Sequence, residues 1–213
     1  MELTRSAVRL GGLWLVLGCG PGEIPRDGSS EPRGAVVPLE ANSGLRARAT
    51  IAGAPGSGIK GEVRLTELAG NFPVPGVRIE ASITGPPGTL TAGRHGFHIH
   101  ENAKAGCVAP FTSADGHFDP GPSGDSDPDV NHPFHAGDIP NLVVDSNGAG
   151  SLDAVTSRVT LSPGPLSLLD EDGSVFIVHE KPDEGTPGPA KSGVSGGPRV
   201  ACGVVQRDSG SSP

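Results

Sequence analysis

All seven histidines of this 213-residue chain fall between positions 95 and 179. In Gly96-Phe97-His98-Ile99-His100-Glu101, apolar and imidazole side chains alternate. Successive side chains of a β-strand point to opposite faces, so His98 and His100 share one face and Phe97 and Ile99 the other. The apolar pair suits a core. The imidazole pair suits a metal, because neutral imidazole is the commonest protein ligand for metal ions. His117 follows in a loop, and His179 ends the strand-like run 174–180. Four imidazoles from strand ends and a loop suit copper or zinc. His135-Ala136-Gly137-Asp138 sets an imidazole and a carboxylate three residues apart around a glycine, a mixture that suits zinc.

Short strands must position these residues. Gly 34 and Pro 22 are a heavy load of turn formers, aromatics are only 3%, and Tyr is absent. Leu45, Ala47, Ala49 and Ile51 alternate with other residues, as do Ile59, Gly61, Val63 and Leu65, and then Val77, Ile79, Ala81 and Ile83. These are half-buried strands with Gly/Pro punctuation between them. Residues 93–101 form a fourth. Strands follow at 141–144 and 150–161, joined by the turn Asp145-Ser146-Asn147-Gly148, then at 174–180 and 201–206. The pattern predicts an all-β fold, an eight-stranded antiparallel Greek-key barrel or sandwich with two long functional loops at 102–140 and 181–199. A loop as long as the first is uncommon in a compact domain unless it has work to do.

The formal net charge of −8 argues against a nucleic-acid partner, which needs clustered Lys and Arg. Arg5 and Arg9 precede a short apolar stretch at 10–17, which marks residues 1–18 as a signal peptide. Val16-Leu17-Gly18-Cys19 resembles the lipobox of bacterial lipoproteins, with Cys19 as the lipidated residue; the alternative is an ordinary secretory signal with an incidental cysteine. Residues 20–43 read as a flexible tether, 44–206 as one domain and 207–213 as a polar tail. With Cys19 lipidated, Cys107 and Cys202 remain, and two cysteines make one disulfide in an oxidising compartment; the alternative is two free thiols.

Five motifs occur in the order found in copper/zinc superoxide dismutases. They are residues 96–101, Gly116-His117-Phe118-Asp119-Pro120, His135-Ala136-Gly137-Asp138-Ile139-Pro140-Asn141-Leu142, Val178-His179-Glu180-Lys181 and Arg199-Val200-Ala201-Cys202-Gly203-Val204. The chain resembles that family over about 45–206, and five ordered motifs are specific where one alone would be weak. The resemblance implies copper held by His98, His100, His117 and His179, and zinc held by His117, His135 and Asp138, with His117 bridging the two. It implies that Arg199 attracts the superoxide anion, that Cys107 and Cys202 are bonded, and that Asp183 joins the metal sites through ligand imidazoles. The implied reaction converts superoxide to dioxygen and hydrogen peroxide by Cu(II)/Cu(I) cycling, with a proton taken up and returned at His117. The net negative charge makes local positive charge necessary for an anionic substrate, from Arg199 and from Lys191 in the second loop.

One expected zinc histidine, midway between His117 and His135, is missing; Asp125-Ser126-Asp127 stands there. Three readings follow: Asp125 or Asp127 replaces the imidazole, the loop folds so that His132 serves, or the zinc site is weak or vacant. A lone strand histidine is usually structural, so His95 is expected to bond backbone. Glu101 and Glu180 are expected in solvent. The expected place is the bacterial cell envelope, in the periplasm and lipid-anchored, with a homodimer possible. The alternative functions are a copper-binding or storage domain on the same fold, a copper-only dismutase, and a relative that keeps the fold with dead metal sites.

Overall fold

The alternation in the sequence becomes a ladder of small apolar side chains. In the computed structural model, β1 (Asn42–Gly53), β2 (Lys60–Leu68) and β3 (Val77–Thr84) pair antiparallel, with Ala49 opposite Val63, Val63 opposite Ala81 and Leu65 opposite Ile79. These side chains are buried on the inner face, while Arg64, Glu80 and Thr84 point outward. The structure describes residues 42–69, 76–121 and 126–210. The signal segment, Cys19 and nearly all of the tether lie outside the described residues, as does Asp125. The described residues all belong to the unit Pro38–Pro213.

Six more strands complete the sheet: β4 (Gly93–His95), β5 (Phe97–His100), β6 (Leu142–Val144), β7 (Ala149–Thr156), β8 (Val175–His179) and β9 (Arg199–Arg207). Every pairing is antiparallel, and the order is β4-β6-β7-β3-β2-β1-β9-β8-β5. β7 returns against β3 and β9 against β1, as Greek-key connections do.

The strand predicted over 93–101 is two strands, which accounts for nine in place of eight. β4 and β5 stand at opposite ends of the sheet order, yet only Gly96 separates them in sequence. The two edges must therefore meet, and the sheet curls into a nearly closed barrel. The Gly96 amide donates to Lys181 O at 2.8 Å, and its carbonyl accepts from the His179 amide at 2.8 Å. A Cβ there would lie 2.8 Å from Ser195 O, so only glycine allows this crossing.

The strand predicted over 150–161 ends at Thr156. The buried Glu67 carboxylate takes over the backbone beyond it, accepting from the amides of Leu161 at 2.5 Å and Ser162 at 2.8 Å and from the Ser162 hydroxyl. Val159 and Leu161 still reach the core. The Asn-Gly turn forms as expected: Gly148 has φ 78°, and Asp145 Oδ1 accepts from the amides of Asn147 and Ala149. Inside the barrel Phe97 stacks on Phe176 with ring centroids 5.2 Å apart. β5 is buried on both faces, so its apolar side fills the core while its histidine side lies under the two long loops.

Candidate metal centre

Backbone bonds draw the first long loop onto β5. Phe118 N donates to Ile99 O at 2.9 Å, Ile99 N to Gly137 O at 3.0 Å, and Gly137 N to Phe118 O at 2.8 Å. Both loop motifs thereby line up beside the strand, and His117 lies opposite His100 and Asp138 opposite His98. A Cβ on Gly137 would sit 2.2 Å from Ile99 O, which explains the glycine between His135 and Asp138. β8 ends on His179 and brings a further imidazole from the neighbouring strand.

His98, His100, His117 and His179 are all buried, and their ligand atoms lie within 4.8 Å of one another. One nitrogen of each ring is held from outside the group. His98 Nε2 donates to Asp183 Oδ2 at 3.0 Å, His100 Nδ1 to Asp115 O at 3.1 Å, His179 Nδ1 to Gly197 O at 2.9 Å, and His117 Nδ1 to Asp138 Oδ1 at 2.7 Å. The other nitrogens, His98 Nδ1 and Nε2 of His100, His117 and His179, are buried with no hydrogen-bond partner. Four such atoms converging on one point are costly unless a cation binds there. Burial lowers the pKa of His98 and His117 to about 4 and of His179 to about 3, and pushes that of His100 well down; neighbouring imidazoles add to the effect. All four rings are therefore neutral at pH 7, the form that binds metal.

A second group shares His117. His117, His132, His135 and Asp138 are buried with ligand atoms within 4.8 Å of one another. Asp138 Oδ2 accepts from the amide and Nδ1 of His135, both at 2.9 Å. His132 Nε2 donates to Asp183 Oδ1 at 2.6 Å, and its Nδ1 lies 3.2 Å from Asp138 Oδ1 without the geometry of a hydrogen bond. Burial opposes a charge on His132, but Asp138 and Asp183 outweigh it and raise its pKa to about 9. Burial would raise the pKa of Asp138 and Asp183, yet their histidine partners hold both well below the carboxylate range. Three nitrogens and one carboxylate match the donors and coordination number of zinc.

Of the residues weighed for the missing histidine's place, the structure brings His132 into the cluster. Asp127 is elsewhere: its Oδ1 caps a turn, accepting from the amides of Asp129 and Val130 at 3.1 and 3.4 Å. His95 meets backbone as expected, with Nδ1 2.8 Å from His179 O and Nε2 2.9 Å from Thr91 O. Glu180 is exposed, but Glu101 is not simply solvated; its Oε1 accepts from Ser126 Oγ at 2.8 Å and the Gly116 amide at 3.3 Å.

Arg199 lies at a cleft of about 860 Å³ whose lining includes His179 and Lys191. Its Nη1 donates to Phe111 O at 2.7 Å and its Nη2 to Asp115 O at 2.5 Å. Cys107 and Cys202 are bonded, with Cα atoms 5.5 Å apart, which ties the Phe111 segment to β9. Asp129 is a buried residue that sequence reasoning missed. Its carboxylate accepts from the amides of Gly193 at 2.7 Å and Ser195 at 3.1 Å and from Ser195 Oγ at 2.9 Å, clamping the second long loop to the first. No periodic signal marks it, because its partners are more than sixty residues away.

The family model described as copper/zinc superoxide dismutase (SODC) matches residues 59–205. The superoxide dismutase [Cu-Zn] of Deinococcus radiodurans is 38% identical over 153 residues, covering 67% of this chain and 78% of that one. That of Photobacterium leiognathi is 32% identical over 155 residues, covering 68% and 85%. The superoxide dismutase-like protein YojM of Bacillus subtilis is 42% identical over 114 residues, covering 52% and 54%. Among solved structures, the clock protein EA4 aligns with a TM-score of 0.55 at 28% identity, covering 75% of this chain and 92% of that one. A double mutant of a SOD-like protein from Bacillus subtilis aligns with the same score and identity, covering 74% and 95%.

Proposed function

The chain belongs to the copper/zinc superoxide dismutase family, and from that we propose that it converts two superoxide anions and two protons into dioxygen and hydrogen peroxide. The observation that carries this reading is the set of four buried, unpartnered ring nitrogens on His98, His100, His117 and His179. These four would hold copper, and His117, His132, His135 and Asp138 would hold zinc. When bound, copper supplies the one-electron chemistry, oxidising one superoxide and reducing the next, while zinc contributes charge and rigidity without redox.

The chain's own residues do the rest. His117 faces one cluster through Nε2 and the other through Nδ1, so it would link the two metals, and its unpartnered Nε2 is the atom able to take up a proton and return it. Arg199, seated on two carbonyls, binds the anion beside His179. Asp183 fixes the rings of His98 and His132 from behind. The cleft admits substrate, and the buried clusters are otherwise closed to solvent.

Export is part of the proposal. The bond between Cys107 and Cys202 suits an oxidising compartment, and the segment ending in Cys19 suits a lipid anchor in the bacterial envelope. The test is metal analysis with a cytochrome c competition assay on the loaded protein. We expect about one copper and one zinc per chain and dismutation that disappears in His98→Ala and His179→Ala. Copper loading with no dismutation would leave a storage domain.

A further inference from the structure

Asp115 adopts φ 56° and ψ −140°, a conformation that side chains other than glycine rarely take. Its carbonyl oxygen accounts for this, because it accepts from both Arg199 Nη2 at 2.5 Å and His100 Nδ1 at 3.1 Å. One backbone atom thus seats the guanidinium and orients an imidazole whose other nitrogen faces the first cluster. The side chain works in the opposite direction. Asp115 Oδ2 accepts from Asn102 Nδ2 at 2.7 Å, and the residue forms part of the cleft wall beside Arg199.

The cleft is not a positive funnel. Among the described residues, its charged lining is Glu101, Asp115, Asp127 and Asp129 against Lys191 and Arg199. Asp129 is turned into the second loop, and Glu101 is engaged by Ser126 and Gly116. Asp127 Oδ1 caps a turn, and Asp115 is the carboxylate carried by the residue whose own carbonyl seats Arg199, so its charge stands within one residue's reach of the guanidinium.

We propose that Asp115 is a specificity-determining residue whose carbonyl positions Arg199 while its carboxylate offsets part of that cation's attraction, so that a small monoanion enters and a more highly charged anion is held off. The physical basis is that Coulomb repulsion scales with the charge of the incoming ligand, so hydrogenphosphate feels about twice what superoxide feels. The proposal rests on the dismutase reading, and its test separates the two.

The probes are azide and inorganic phosphate, titrated spectroscopically against the copper(II)- and zinc-loaded protein, together with kcat/KM for superoxide at several salt concentrations. The variants are Asp115→Asn, which keeps the shape of the side chain already held in this conformation, Asp115→Gly, which takes positive φ freely, and Asp115→Ala, which does not accept it readily. Asn and Gly are expected to tighten azide by about threefold and phosphate by about tenfold, and to raise kcat/KM about threefold at low salt, a gain that fades as salt screens the charge. Ala is expected to fall below the unsubstituted protein in kcat/KM, because the carbonyl shifts away from Arg199. Unchanged or weaker anion affinity in both Asn and Gly overturns the proposal, as does an Ala variant that matches Asn. Unsubstituted protein that binds azide but does not dismutate overturns the dismutase reading instead, and the azide series still decides the role of Asp115.

Discussion

His98 and Asp183, 85 residues apart in the chain, are joined by a 3.0 Å bond from Nε2 to Oδ2. The other oxygen of the same carboxylate accepts from His132 Nε2 at 2.6 Å, so one side chain spans both histidine clusters. Asn141 grips Asp183 in turn, its Oδ1 accepting from the Asp183 amide at 2.8 Å and its Nδ2 donating to Asp183 O at 3.1 Å.

Replacing that carboxylate should therefore be felt at both clusters. Asp183→Ala is expected to weaken zinc binding by about 10–100-fold and to alter the copper spectrum, since His98 and His132 lose the partner that orients them. Chelator competition measures the first and visible absorption the second. Unchanged affinity together with an unchanged spectrum would contradict a shared carboxylate.

His132 and Asp127 are told apart by metal content. His132→Ala is expected to lose zinc on dialysis and keep copper, because His132 is grouped with His117, His135 and Asp138 and is not one of the four histidines of the first cluster. Asp127→Asn is expected to keep both metals, because its carboxylate oxygen caps a turn. Zinc lost from Asp127→Asn and retained by His132→Ala would return the carboxylate to the site.

The metal-free protein should have a stability maximum near neutrality, and each flank has its own sign. Burial lowers the pKa of His98 and His117 to about 4 and of His179 to about 3, against 6.5 for the ordinary group. As pH falls below 6.5 the unfolded chain gains protons that the fold refuses, so stability drops down to about pH 3–4. His132 behaves oppositely. Its pKa of about 9 gives stability that is complete below 6.5 and lost as pH rises to 9. Thermal melting in chelator across pH 4–9 checks this, and Tm that climbs steadily to pH 9 would contradict it.

The disulfide closes a separation of 95 residues. Cys107→Ser is expected to cost about 4–5 kcal/mol by chain entropy, read from denaturant midpoints. It should also lower anion affinity at the copper site, because Cys107 tethers the segment that presents Phe111 O to Arg199. Azide titration of folded variant reads that second effect apart from stability.

The barrel strands were legible because a strand with one buried face writes its register into a period of two, and Leu45–Ile51, Ile59–Leu65 and Val77–Ile83 carry that period cleanly. The histidines of the first cluster were legible by type and by motif. What the sequence left hidden lies where the chain has no period. Gly96 turns one apparent strand into the two edges that close the barrel, a fact set by its bonds to Lys181 and His179.

The sequence alone, then, determined an all-β chain carrying a histidine-rich metal centre, because alternation and ligand type are local properties. The tertiary structure decided that His132 comes to the second cluster, that Asp129 clamps Gly193 and Ser195, and that Asp115 bends its backbone to hold Arg199. Those outcomes depend on hydrogen bonds between residues tens of positions apart, and nothing in the immediate neighbours of any of them encodes the partner that loop closure brings near.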